Sequence, residues 1–215
     1  DRDPEALAQV ARARLALVQV PPRGVWGRSG QARHTTLEAG LGRPLEADPP
    51  PDRLVLRYLG AFGPGTVADA QAWSGLTRLA EVFERLRPDL ATFRDEDGAE
   101  LFDLPEAPRP APDAPAPVRF LYDFDNLLLG HADRRRFLGD EQHPLWKRAQ
   151  AVPGSALIDG MARATWTVER ADGGVVLDVR CDGPGAEDEI AAEGERLLAC
   201  LHPAAAGREV RVRSA

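Results

Sequence analysis

The residues best suited to chemistry near the start of the chain are arginines in an interval without acids. Between Ala6 and Leu37 there are five arginines and one histidine, but neither Asp nor Glu. Guanidinium groups that have no carboxylate nearby can neutralise the phosphates of a polyanion, and glycines let backbone N–H groups approach a phosphate strand closely. This interval therefore predicts a nucleic-acid contact. Its arginines are Arg12, Arg14, Arg23, Arg28 and Arg33, and its glycines are Gly24, Gly27 and Gly30.

Trp26 lies in the same interval, within a glycine-containing stretch that predicts a short hairpin or wing. An aromatic side chain at the tip of a wing can stack on bases or insert between them. A Trp beside an aliphatic residue is also typical of a hydrophobic core. The sequence leaves both interpretations open, and it equally allows the arginines to belong to a solvated helix face and an ordinary hairpin.

A second group of polar residues lies in the segment RFLYDFDNLLLGHADRRRF, residues 119–137. Asp and His can act as bases, metal ligands or contacts beside a phosphate. Their number and spacing do not match a metal site, so we expect neither a metal nor another cofactor. We expect these acids and His131 to cap and clamp the start of a C-terminal domain, while the arginines face solvent or phosphate. The polar residues are Asp123, Asp125, Asn126, His131, Asp133, Arg134, Arg135 and Arg136.

The elements that carry these residues are clearest in the middle of the chain. Apolar residues recur at helical spacing over 54–62, and Thr66 with Asp69 resembles a capping box that opens a second helix. A third helix is predicted over 76–87, followed by a β-hairpin around Asp97 and Gly98. Three helices followed by a hairpin is the order of a winged helix-turn-helix.

The third helix of a winged helix usually reads the DNA groove, yet here its charges nearly cancel. Arg78, Arg85 and Arg87 are opposed by two glutamates on the same helix. Arg78 stays a candidate nucleic-acid contact. The near balance of charge also allows this winged helix to serve as a scaffold or as a protein-contact module that touches no DNA.

Composition shifts divide the chain into four parts. We expect the remainder or wing of a preceding winged helix over 1–46, a winged helix-turn-helix domain over 47–105, a proline-rich linker over 106–118 and a β-rich C-terminal domain over 119–215. The predicted fold class is α+β, with a winged helix-turn-helix followed by a β-barrel-like C-terminal domain and a packing helix. The first residue is Asp, within a helical pattern, which favours a piece of a longer protein.

Charge and cysteine content limit the remaining possibilities. The net charge of −7 would repel a polyanion as a whole, so any nucleic-acid contact must be local. Two cysteines cannot build a disulfide framework, and we expect a reduced compartment, the cytoplasm. The longest weakly charged stretch is too interrupted for a membrane span.

Several phrases resemble a bacterial winged-helix DNA-binding family that includes glycosylases of alkylated and crosslinked bases. They are PPRGVWGRSG, LVLRYLGAFGPGTVADAQAWSGL, LFDLP, RFLYDFDNLLLGHADRRRF, LIDG and AEGERLLACL, and they run in order through nearly the whole chain. The resemblance implies tandem winged helices, a β-barrel-like domain and a concave, positively lined cleft for double-stranded DNA. It further implies base excision in DNA repair, with this chain as the C-terminal, DNA-binding portion.

The resemblance also implies a catalytic pair, Gln-hydrophobic-Gln or Gln-hydrophobic-Asp, and this chain lacks it. No Gln is followed two positions later by Gln or Asp. The sequence therefore assigns no catalytic residue. The alternative function is a non-catalytic winged-helix DNA-binding or transcription-regulatory protein on the same scaffold.

Overall fold

The computed structural model describes residues 3–26, 28–139, 154–171, 173–183 and 185–214. Two compact units divide the chain, unit 1 being Asp1–Pro50 and unit 2 being Pro51–Ala215. Both contain helices and strands, so the mixed α+β class is confirmed. Gly27, one of the glycines of the predicted hairpin, lies outside the described residues.

Unit 1 is a small hairpin flanked by two helices. Helix α1 (Pro4–Arg14) is capped by the Asp3 side chain, which accepts a hydrogen bond from the Glu5 N–H. Strands β1 (Leu17–Val20) and β2 (Arg33–Thr36) pair antiparallel. Thr36 then caps the short helix α2 (Leu37–Leu41).

Unit 1 has little interior. Gly40 of α2 lies so close to the hairpin that an added Cβ would be 3.3 Å from both Thr35 and Val18. No described residue in 3–50 is buried. The hairpin is therefore a largely solvent-exposed part of unit 1.

Unit 2 opens with three helices, α3 (Pro51–Phe62), α4 (Val67–Ser74) and α5 (Leu79–Leu86). The predicted capping box is confirmed at the start of α4. The Thr66 Oγ1 accepts from the Asp69 N–H at 3.0 Å, and the Asp69 carboxylate accepts from the Thr66 N–H at 2.9 Å. These reciprocal bonds satisfy two donors that a helix start would leave without partners.

A short 3-10 turn (Arg87–Asp89) leads from the helices into an antiparallel hairpin. Its strands are β3 (Ala91–Arg94) and β4 (Glu100–Asp103). Arg94 pairs with Glu100, so the turn falls at the predicted Asp97 and Gly98. The helices and the hairpin share one core, in which Tyr58, Phe83 and Phe102 are almost wholly buried.

The rest of unit 2 is a five-stranded sheet with one long helix. The strand order is β5, β6, β7, β8, β9, with antiparallel neighbours except for the parallel pair β8 and β9. The elements in chain order are β5 (Arg119–Leu121), α6 (Asn126–Leu129), α7 (Arg135–Leu138), β6 (Ser155–Ile158), β7 (Met161–Ala171), β8 (Gly174–Cys181), α8 (Glu187–Leu201) and β9 (Gly207–Ser214).

The expected barrel-like shape is wrong, because this sheet is open. A parallel neighbour requires a crossover connection, and α8 supplies it between β8 and β9. Within the described residues β5, only three residues long, and β9 form the two edges and do not pair with each other. No pairing of β5 with β9 closes the described sheet into a barrel, and α8 packs against the sheet.

Close packing of α8 on the sheet shapes the second core. Ile190 and Leu198 are fully buried, and an added Cβ on Gly194 would lie 2.9 Å from Leu177 and 3.0 Å from Val210. Only a glycine lets the helix axis come this near the strands. The core therefore depends on the contact between α8 and the inner strand β8, whose Leu177 is fully buried.

Candidate nucleic-acid interface

The basic hairpin, residues 17–36, presents its arginines to solvent. Arg23 and Arg28 lie in the loop, where the Arg28 N–H donates to the Val25 carbonyl at 3.0 Å. Arg33 begins β2, opposite Val20. All three side chains are exposed, and across the described part of the chain none has a hydrogen-bonding or ion-pairing side chain opposite its guanidinium.

The two arginines near the end of α1 share this condition. Arg12 and Arg14 lie in the last turn of the helix, where a positive charge is favoured by the helix dipole. Both are exposed, and neither meets a carboxylate among the residues that the structure places. Among the described residues, no acid pairs with the arginines of the acid-free interval, so their charges are not neutralised locally.

Trp26 is at the surface, which overturns the interpretation that it belongs to a core. Its side chain is 70% exposed, the largest value among the exposed large hydrophobic residues. The neighbouring Val25 is 42% exposed. Trp26 lies between Arg23 and Arg28 in the sequence, and its exposed ring is available to stack on another flat ring.

The third helix of unit 2 differs, because its guanidinium groups are already engaged. Arg85 binds the Asp52 carboxylate through Nε and Nη2, at 3.0 and 2.8 Å. Arg87 lies between Glu84 and Glu100 and stacks on the Phe102 ring. Arg78 precedes α5, is exposed and meets no charged partner in the described ranges. It is thus the available cation of this helix.

The three consecutive arginines after His131 have different surroundings. Arg135 is held by Asp97 at 2.7 Å and by Asp133 at 2.6 Å. Arg136 donates to the Pro64 carbonyl at 3.1 Å. Arg134 is half-buried and has no such partner in the part of the chain that the structure covers. These residues hold one part of unit 2 against another as well as facing solvent.

Asp69 joins the start of α4 to the segment that follows α6. Its Oδ1 accepts from the Ala132 N–H at 2.8 Å, across 63 positions of sequence, while its Oδ2 serves the capping box. The His131 Nδ1 lies 3.8 Å from the same carboxylate, too far for a hydrogen bond. Asp69 and His131 are both 3% exposed.

Hydrogen bonding decides the ionisation of this carboxyl group. Burial raises the pKa of Asp69, but the neighbouring His131 and hydrogen bonds from Thr66 and Ala132 outweigh burial and hold the pKa below its usual range. Tyr58 lies nearby, and its hydroxyl donates to the Gly130 carbonyl at 2.8 Å. Burial, followed by the Asp69 charge, raises the pKa of Tyr58 above its usual value. The cluster is a structural clamp with an ionised centre.

A cleft of 720 Å³ adjoins this clamp, and its lining holds five carboxylates but only two guanidinium groups. Asp95, Glu96 and Asp97 contribute from the hairpin, opposite Asp133 and Arg135. A surface of this sign repels phosphate. No group of His, Cys, Asp and Glu suited to a metal ion occurs among the described residues, and no described helix is long and apolar enough to cross a membrane.

The expected clamp in the 119–137 segment is present in part. Asp133 binds Arg135, but Asp123 makes neither a hydrogen bond nor an ion pair among the described residues, and the partner of longest range, Asp69, lies elsewhere. Asp125 caps α6 by accepting from the Leu127 N–H at 2.9 Å, as a capping role requires. The long-range partner Asp69 was visible only as half of a capping box. Two exposed aromatic residues, Tyr122 and Phe124, also lie in this segment. Their alternation with Asp123 and Asp125 is the only sequence signal that marks them.

Comparisons with known proteins agree with this architecture. The chain is similar to the solved structure of the Streptomyces sahachiroi DNA glycosylase AlkZ, with a TM-score of 0.67 at 22% sequence identity. That match covers 92% of this chain and 54% of the other, so this chain spans about half of the length of that structure. No curated protein matches the sequence. A family model described as DNA glycosylase AlkZ-like matches residues 1–200. The chain therefore belongs to the AlkZ-like DNA glycosylase family.

Proposed function

We propose that this chain is the DNA-binding portion of a winged-helix DNA glycosylase that removes alkylated or crosslinked bases from double-stranded DNA. The observation that carries the proposal is the unneutralised arginine surface of unit 1. In a chain of net charge −7, cations that meet no carboxylate mark the place where a polyanion can bind. Family membership supplies the class of polyanion.

The element order of both units supports the winged-helix part of the proposal. In unit 2, α3, α4 and α5 are followed by the β3–β4 hairpin, as in a winged helix-turn-helix. In unit 1, α1 is followed by the β1–β2 hairpin, the order of a third helix and its wing. We propose the domain limits 1–46, 47–105 and 119–215, with the linker over 106–118.

Phosphate contacts are assigned to the basic hairpin. Each of its arginines, Arg23, Arg28 and Arg33, would neutralise one phosphate. None of them pairs with an acid among the described residues, so no ion pair has to break first. Trp26, at the same loop, would stack on a base or insert beside one, which partly unstacks the duplex. A damaged pair is the easiest place for such insertion, since its own stacking and pairing are weaker.

A second track of phosphate contacts would use cations of unit 2. Arg78 and Arg134 pair with no acid among the described residues. Arg136 is held only through a carbonyl, but it lines the acidic cleft and is therefore the weaker candidate. Arg135 would have to give up two carboxylates, so we assign it chiefly to positioning the segment that carries its neighbours.

The chemistry of the proposed reaction places modest demands on the protein. A base made cationic by N-alkylation is a good leaving group, so an enzyme needs to stabilise an oxocarbenium-like sugar and position a water molecule. The proposed mechanism uses no metal. This chain contains no Gln-hydrophobic-Gln or Gln-hydrophobic-Asp pair, and its residues would therefore grip the DNA and not break the bond.

The test replaces Arg23, Arg28 and Arg33 together by Ala and measures the affinity for undamaged duplex across a salt series. Each lost phosphate contact should lower the slope of log affinity against log salt by about 0.9. A matched control replaces Arg180, Arg196 and Arg211, which lie near carboxylates in unit 2. The control makes the same change in net charge and should leave the slope unchanged.

Trp26→Ala separates stacking from charge in the same assay. Loss of base stacking should weaken binding by about 1–3 kcal/mol while the salt slope stays constant, since no cation is removed. An equal fall in slope for the arginine variant and its control would overturn the assignment of the hairpin. Binding of alkylated duplex without base release by the complete protein would favour the non-catalytic alternative.

A further inference from the structure

The aromatic turn, Tyr122–Asp125 between β5 and α6, presents two rings to solvent. Tyr122 is 66% exposed and Phe124 is 56% exposed. The φ of Phe124 is 57°, in the left-handed region where Gly or Asn is favoured and a bulky residue is an outlier. Phe at this position therefore lowers stability through its backbone and leaves apolar surface in water. Folding alone would favour another residue here.

The strained conformation is firmly supported on both sides. The Asp125 N–H donates to the Tyr122 carbonyl at 3.1 Å, and the Asp125 carboxylate caps α6. Before the turn, the Trp166 indole N–H donates to the Leu121 carbonyl at 2.9 Å, and the Trp166 ring lies 6.1 Å from the Tyr122 ring. The backbone of the turn and the Tyr122 ring are thus held in place before any ligand arrives.

The residue between the two rings in the sequence carries a negative charge. Asp123 lies between them in sequence, is exposed and has neither a hydrogen bond nor an ion pair to the residues that the structure describes. Arg119, at the start of β5, is directed to the Val118 carbonyl at 2.8 Å and to Glu193 at 3.5 Å. The faces of aromatic rings attract cations. A carboxylate beside them strengthens that attraction and repels phosphate.

We propose that the aromatic turn is a binding site for a planar cation, of the kind that an N-alkylated nucleobase presents. The site follows from the contacts above, whereas the choice of a nucleobase as ligand rests on the proposed glycosylase function. A flat base can stack on Phe124 or Tyr122, and the Asp123 carboxylate can accept a hydrogen bond from an amino group on its edge. The positive charge separates an alkylated base from an ordinary one.

The test uses two nucleosides, 7-methylguanosine in mildly acid buffer, where its base is cationic, and guanosine. Neither carries a phosphate, so the arginines of the basic hairpin contribute nothing. Binding to the full chain is followed by NMR chemical shifts and by equilibrium dialysis. We expect the methylated nucleoside to bind about tenfold more tightly than guanosine, a difference of about 1.4 kcal/mol. Asp123→Asn should reduce this preference towards unity.

Phe124→Gly distinguishes a binding role from a structural one. Glycine accepts the left-handed backbone, so this variant should raise the thermal unfolding midpoint while it weakens binding of 7-methylguanosine about tenfold. Phe124→Asn repeats the test with a side chain retained. Asp159, also at positive φ, provides the matched control. Asp159→Gly should raise the midpoint and leave nucleoside binding unchanged.

The outcomes separate this site from the proposed function. Equal binding of the two nucleosides, or full binding by Phe124→Gly, overturns the site, as does a lower unfolding midpoint for that variant. Self-association that Phe124→Gly abolishes, without any nucleoside effect, would assign the rings to a protein contact and also overturn it. If the nucleoside tests fail but the arginine variant still lowers the salt slope of DNA binding, the proposed DNA-binding function stands. If the salt slope does not depend on these arginines but the chain still prefers the methylated nucleoside, only the assignment of the hairpin to DNA is refuted.

Discussion

Substitution of Asp69 tests how the helical part of unit 2 is joined to the segment after α6. The carboxylate is 3% exposed and accepts from the backbone N–H groups of Thr66 and Ala132. Thr66, in contrast, contributes its hydroxyl only to the helix cap. If the clamp is as described, removal of the two side chains must have different consequences for the free energy of unfolding.

The magnitude for Asp69→Ala follows from the groups it leaves behind. Loss of a capping interaction costs about 1 kcal/mol, and a buried donor left without an acceptor costs about 1–3 kcal/mol. Relief of the buried charge offsets part of this. We expect a loss of about 3 kcal/mol for Asp69→Ala and about 1 kcal/mol for Thr66→Ala, with Asp69→Asn in between because one oxygen acceptor remains.

Urea unfolding followed by circular dichroism gives these free energies, with the slope in denaturant checked for constancy. Destabilisation by Asp69→Ala that is no larger than that by Thr66→Ala would refute the clamp. That result would mean that the hydrogen bond to Ala132 contributes nothing and that Asp69 acts as a helix cap alone.

Three further expectations concern pH, the sheet core and the third helix. Because the folded pKa of Asp69 is lowered, its stabilisation is present above the unfolded pKa of about 4 and is lost as pH falls through the folded value. The folded pKa values of other carboxyl groups, such as Asp133, are lowered too, so an acid titration of unfolding free energy should show a larger loss in the wild type than in Asp69→Asn. Leu177→Ala, at a fully buried position, should cost about 3 kcal/mol in urea unfolding, and a loss below about 1 kcal/mol would contradict the described packing of α8. Arg87→Ala should leave the DNA salt slope unchanged, because Glu84 and Glu100 already neutralise this guanidinium; a lower slope in the affinity assay would place the third helix on DNA.

Local signals predicted much of unit 2. The Thr66 and Asp69 pattern identified a helix start, and the Asp97-Gly98 pair identified a hairpin turn, since both features are made by residues close in sequence. The packing helix expected in the C-terminal domain is α8, whose buried residues Ile190, Gly194 and Leu198 recur at helical spacing. In each case the interactions that determine the element join residues that are close in the sequence.

Features that join distant residues were not predictable in the same way. Periodicity marks β9 as a strand but cannot say that it runs parallel to β8, and that pairing is what makes the sheet open. The second role of Asp69 depends on Ala132, 63 positions away. The positive φ of Phe124 is invisible in the sequence, because a Phe gives no hint of left-handed backbone.

The distribution of ion pairs explains how an acidic chain can offer a surface to DNA. Arginines of unit 2 such as Arg85, Arg87 and Arg135 are paired with acids, so a large share of its charge is cancelled locally. The arginines of the basic hairpin have no acid partner among the described residues. At physiological salt the field of a charge extends about 8 Å, so the net charge of −7 acts on an approaching phosphate only through nearby groups. The sign of the surface within that distance, and not the sign of the whole chain, decides where a polyanion binds.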